Sequence, residues 1–155
     1  MAKNIRVLIV EDHDMARMGL SVILGNNPNI EIAGMSADGQ EGVDKALEIL
    51  PDVVVMDIGL PTIDGIEATK RIKASNSNIL MYTSRESEDD IFDSFQAGAD
   101  GYITKGATSE QTVSAVIAVS EGAGWLDPAI AKVVLTNIRR GSASNERRGE
   151  INYKL

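Results

Sequence analysis

Apolar residues recur along this chain in two rhythms. Short apolar runs at Ile5–Val10, Ile30–Met35, Pro51–Asp57, Ile79–Tyr82 and Gly101–Thr104 read as strands. The run Val53-Val54-Val55-Met56 has no polar alternation, as expected of a strand buried on both faces of a parallel sheet. Between the runs, apolar positions fall at helical spacing. They are Met15, Met18, Val22 and Ile23 or Leu24; Val43, Ala46, Leu47 and Leu50; Ile66, Thr69 and Ile72; Ile91 and Phe95; and Val113, Val116 and Ile117.

Start and stop signals agree with these elements. Asp14 and Asp38 are the expected caps of the first two helices, which Gly25-Asn26-Asn27-Pro28 and Pro51 close. Asp64 with Glu67, and Thr108 with Gln111, have capping-box spacing. Ser87-Glu88-Asp89-Asp90 opens the fourth helix with acids that its dipole favours, and Gly98 can supply the left-handed turn that ends it. Five strands alternating with five helices predict an α/β fold, a doubly wound five-stranded parallel sheet.

The C-terminal part has a different pattern. Asp127-Pro128 is a good helix start, and Ile130, Val133, Val134 and Ile138 predict a further helix over residues 125–140. Trp125 is expected to anchor that segment on the body of the protein. The polar, glycine- and serine-containing stretch from Gly141 to the C-terminus reads as a flexible linker. The expected division is therefore a domain over 1–124, a linker helix over 125–140 and a linker over 141–155.

Composition narrows the function. A chain of 155 residues suits one domain with its own core. Without cysteine it has neither a disulfide framework nor a thiolate metal site, and with neither a membrane-length apolar run nor a signal peptide it is expected to be cytoplasmic with no membrane contact. Residues 1–126 carry 9 basic and 20 acidic side chains, a net of −11, whereas residues 127–155 carry 6 and 3. The body would repel a phosphate backbone, so any DNA contact must come from elsewhere.

The strand ends carry the chemistry. If the sheet is parallel, Glu11-Asp12, Asp57, Thr83-Ser84 and Lys105 all emerge at one rim, where ligands of open α/β sheets bind. Three carboxylates could hold a magnesium ion, one of them free to attack phosphorus. A lysine and a hydroxyl suit phosphoryl oxygens. His13, the one histidine, reads most simply as a loop residue.

These residues also carry a family likeness. Glu11-Asp12, Asp57, Pro61, Gly65, Thr83, Tyr102 and Lys105, in this order, make residues 5–122 resemble the CheY-like receiver domain of two-component response regulators. Val10-Glu11-Asp12-His13, Arg17, Gly19, Leu20 and Gly98-Ala99-Asp100-Gly101-Tyr102 are most similar to its NarL/FixJ branch, whose members usually carry a helix-turn-helix effector.

The resemblance implies that Asp57 accepts a phosphoryl group from a sensor histidine kinase. It implies Mg2+ (or Mn2+) on Asp12, Asp57, the backbone carbonyl of Gly59 and, through water, Glu11, with Gly59, Thr83, Ser84 and Lys105 around the phosphoryl group. Thr83 and Tyr102 would form the conformational switch. It implies control of a DNA-binding output through an effector expected to lie outside this chain, and it accommodates a homodimer on activation. In that reading the protein is a signalling phosphoacceptor rather than an enzyme. The main alternative is a receiver fold that docks proteins without being phosphorylated. A haloacid-dehalogenase-type phosphatase would want a second aspartate where Gly59 stands.

Overall fold

The computed structural model describes residues 4–152. Its elements run β1 (Ile5–Val10), α1 (Asp14–Gly25), β2 (Ile30–Ser36), α2 (Gly39–Ile49), β3 (Val53–Met56), α3 (Gly65–Ile72), β4 (Asn78–Thr83), α4 (Glu88–Gln96), β5 (Gly101–Thr104), α5 (Ser109–Ser120), β6 (Trp125–Leu126) and α6 (Pro128–Asn152). All strand pairs are parallel, in the order β2-β1-β3-β4-β5-β6. The doubly wound fold is as expected, but the described residues form six strands rather than five. Trp125 and Leu126 pair with Gly101 and Tyr102, so the segment read as linker extends the sheet.

Two apolar layers cover the sheet. Leu8, Val10, Val54, Met56, Ile79 and Met81 face α2, α3 and α4, while Val7, Ile9, Val53, Val55 and Leu80 face α1 and α5. Both faces of β3 are therefore inside, which is why its sequence shows no alternation.

Several local expectations need correction. The N-cap of α1 is His13 without a side-chain bond, and Asp14 is the first helical residue, paired with Arg17 across 2.5 Å. Met15, Met18 and Val22 point outward at 86%, 62% and 60% exposure, and Leu20 and Leu24 form the buried stripe. That inward face is masked in sequence because its first turn is held by Arg17, whose guanidinium donates to the Glu11 carbonyl at 2.8 Å. In α2, Val43 and Ala46 are buried but Leu47 is exposed, and Leu50 lies beyond the helix in a left-handed conformation. Phe95 is only partly buried beside the fully buried Ile91.

Caps mostly follow the sequence. Asp38, Asp64 and Ser87 each accept from a backbone N–H three residues on, although only Thr108 with Gln111 forms a reciprocal capping box. Gly98 ends α4 at φ +114°, where a side chain would be strained.

Composition misleads at the C-terminus. Instead of breaking at Gly141, α6 runs to Asn152, through a stretch with no proline and with the helix formers alanine, glutamate and arginine. Residues 153–155 of the expected linker lie outside the described residues.

Candidate functional site

The strand order reverses at β1, which has β2 on one side and β3 on the other. A crevice opens at such a reversal, outside the carboxyl ends of the strands. β1 delivers Glu11 and Asp12 to it, and β3 delivers Asp57. Glu11 and Asp57 are 1% and 6% exposed, unusually low for carboxylates.

Asp57 is fixed from several sides. Its Oδ1 accepts from the Ile58 N–H at 2.7 Å, and its Oδ2 accepts from Lys105 Nζ at 3.1 Å. Gly65 lies so close behind that a Cβ there would come within 1.9 Å of the Asp57 carbonyl oxygen, so only glycine fits the start of α3 at this point. Burial pushes the Asp57 carboxyl up, but the hydrogen bond and charge of Lys105, with help from Thr83 and the Ile58 amide, outweigh it. Asp57 therefore ionises below the usual carboxylate range.

Lys105 follows β5 and bridges two acids, contacting Glu11 Oε1 as well as Asp57. Desolvation alone would lower its pKa. Hydrogen bonds and charge from Glu11 and Asp57 more than offset that and raise it, so the ammonium stays charged. Its Nζ also lies 6.0 Å from the centroid of the Tyr82 ring. The Lys105 backbone is tied to β4 by an N–H to the Thr83 carbonyl at 3.1 Å.

The acids fit a hard cation. Glu11, Asp12, His13 and Asp57 each place one ligand atom within 4.8 Å of all the others, and Asp12 Oδ1 is buried with no hydrogen-bond partner. Carboxylate oxygens converging without enough protein donors are a donor set for a divalent ion such as Mg2+. His13 was not expected here. Its Nδ1 lies 3.2 Å from Glu11 Oε2 and 3.4 Å from Asp12 Oδ1, a proximity that follows from its place one residue past the acidic pair.

Thr83 is 1% exposed, and its hydroxyl accepts from the Arg85 N–H at 3.3 Å. Tyr102 is fully buried, and its hydroxyl donates to the Arg85 carbonyl at 2.7 Å. The two residues named as a switch are thus joined through one backbone unit. Arg85 itself leans toward the mouth of the site, where a Cβ at Gly59 would sit 3.4 Å from its guanidinium. Gly59 is exposed in the turn after Asp57, whereas Ser84 is exposed and makes no hydrogen bond among the described residues. The structure thus gathers Glu11, Asp12, Asp57, Thr83 and Lys105 and leaves Ser84 outside the bonded set.

Comparison with known proteins points the same way. Residues 7–117 match the response regulator receiver domain family. The transcriptional regulatory protein LiaR of Bacillus subtilis (strain 168) is 40% identical over 137 residues, covering 87% of this chain and 65% of the relative. The response regulator GacA of Pseudomonas viridiflava is 39% identical over 130 residues, 83% of this chain and 61% of its own length. The chain thus spans about 61–65% of these curated relatives. Among solved structures, a LuxR-family two-component response regulator from Aurantimonas sp. SI85-9A1 superposes with a TM-score of 0.83 at 31% identity, over 87% of this chain and 98% of that one.

Proposed function

Since the chain belongs to the response regulator receiver domain family, we propose that Asp57 is its phosphoacceptor and that the rim around it is a phosphoryl-transfer site. One observation carries this reading: the ionised, nearly buried Asp57 lies against Lys105 in a cluster of three carboxylates that has one ammonium between them and an Asp12 oxygen without a hydrogen-bond partner.

The chemistry assigns a task to each residue. An Asp57 carboxylate oxygen attacks the phosphorus of a phosphohistidine; the P–N bond breaks, and the phosphoryl group is left on Asp57. Asp12 and Asp57, with the Gly59 carbonyl and Glu11 through water, would hold Mg2+ or Mn2+. When bound, the cation supplies charge neutralisation at the transferring group. Lys105 is placed for one phosphoryl oxygen and the Thr83 hydroxyl for another, with Ser84 at the margin. Drawing Thr83 toward the phosphoryl group would disturb its bond with Arg85, and through the Arg85 carbonyl the seat of Tyr102.

The donor is a sensor histidine kinase, as for response regulators generally. Met15, Met18 and Val22 form an exposed apolar stripe on α1, which begins just beyond the acidic pair, and helices of such a partner could pack there. We take residues 1–124 as the receiver, with β6 and α6 packed onto it, and the chain beyond as leading toward a DNA-binding effector, with homodimerisation on activation. No described helix is long and apolar enough to cross a membrane, and the protein would act in the cytoplasm.

Incubation with Mg2+ and acetyl phosphate, followed by intact mass, tests the assignment. The parent should gain one phosphoryl group and Asp57→Asn none. Lys105→Ala should stay folded and label roughly tenfold or more slowly. A parent that stays unlabelled at saturating donor would instead favour a docking module that works without phosphorylation.

A further inference from the structure

Sequence gave no reason to connect the C-terminal helix with the rim. In the fold a single carboxylate joins them. Asp127 Oδ2 accepts from the Thr104 hydroxyl at 2.9 Å and from the Thr104 N–H at 3.3 Å, while its Oδ1 accepts from the Ala129 N–H at 3.3 Å in the first turn of α6. Its own N–H donates to the Tyr102 carbonyl at 3.2 Å. Asp127 therefore caps α6 and grips the end of β5, and the next residue in the chain is Lys105.

Further contacts seat α6 on the same side of the molecule. Ile130 is fully buried in the core cluster that holds Tyr102 and Ile91. Asn137 and Arg140 reach Glu88 on α4 at 3.0 and 3.3 Å. The helix thus lies over α4 and the end of β5, against the two elements that flank the Thr83–Arg85–Tyr102 chain.

We propose that Asp127 is a latch, and that α6 is the element the phosphoryl switch releases. This rests on the phosphoacceptor reading of Asp57. A phosphoryl group on Asp57 and a cation on the acids would compete for the carboxylate oxygens that Lys105 Nζ now bridges. Any shift of the end of β5 that accompanies this exchange is passed to Thr104, which Asp127 holds. The occupied site and the latched helix therefore oppose each other, and by linkage each weakens the other by the same factor. α6 supplies Val134 to the wall of an open apolar groove of about 620 Å³ that Phe92, Phe95 and Trp125 also line, and its release would remove that wall.

Amide hydrogen exchange over residues 128–141 of the full chain, with and without Mg2+ and beryllium fluoride as a phosphoryl mimic, tests the latch. Exchange in this segment should rise about fivefold or more on adding the mimic to the parent, and should not change in Asp57→Asn. Thr104→Val, which removes the hydroxyl but leaves the α6 cap intact, should exchange fast before any addition. Asp127→Asn, with one acceptor oxygen where two are needed, should behave in the same way. Emission of Trp125, the chain's one tryptophan, should shift together with the exchange rates. If Asp57 labels with acetyl phosphate but exchange over 128–141 is the same with and without the mimic, the latch is wrong and the phosphoacceptor stands. If Thr104→Val and Asp127→Asn fold and exchange like the parent, the latch is also wrong. If Asp57 does not label, both readings fall together.

Discussion

The two rims of the sheet carry the same residue type in different surroundings. At the amino ends of the strands, Asp52 Oδ2 accepts from the Arg6 N–H at 2.8 Å, and Asp100 Oδ2 accepts from the Ile79 N–H at 2.8 Å and from Lys73 Nζ at 3.1 Å. Each of these acids is spent on the neighbouring strand or helix, and neither belongs to a cluster of acids among the described residues. At the carboxyl ends, Glu11, Asp12 and Asp57 crowd within 4.8 Å, and Asp12 Oδ1 finds no donor. The contrast teaches that an aspartate at a strand end is not itself a mark of chemistry. Mutual crowding is, when it leaves a buried carboxylate oxygen without a donor, because that oxygen remains open to a ligand.

Three measurements test this contrast. The largest effect is expected from the cation. Mg2+ at about 100 times its dissociation constant should stabilise the parent by roughly 2.7 kcal/mol in denaturant unfolding, and Asp12→Asn should lose most of that gain. A parent indifferent to Mg2+ would put the two rims on the same footing. Next, Asp100→Ala should cost about 1–3 kcal/mol, because it strips a partner from the Ile79 amide and from Lys73. Smallest, and opposite in sign, Asp12→Asn without metal should stabilise the chain by about 0.5–1 kcal/mol, since it relieves like-charge repulsion. If Asp12→Asn and Asp100→Ala destabilise alike, the crowded rim is a structural feature like the other.

The same division runs through what the residues disclosed. The triple valine of β3, the caps at Asp38, Asp64, Ser87 and Thr108, and the left-handed Gly98 were all legible, because each rests on neighbours within a turn or two. The carboxylates, Thr83 and Lys105 were legible as a set because parallel strands send their ends to one rim, whatever the loops between them do. The inward face of α1 was not, since Arg17 occupies it, hydrogen-bonded to the Glu11 carbonyl just past β1 and paired with Asp14. Nor was β6, whose Trp125-Leu126 is too short to show a period.

Sequence alone thus determined the alternation of elements, their caps and the kinds of side chain that meet at the rim, since these follow from local periodicity and from the direction of each strand. Packing set which acids stay unsatisfied, brought His13 among them, and let one oxygen of Asp127 hold Thr104 from 23 positions away. Hydrogen bonds and charges act over a few ångströms, and which residues come that close is set by packing rather than by order along the chain.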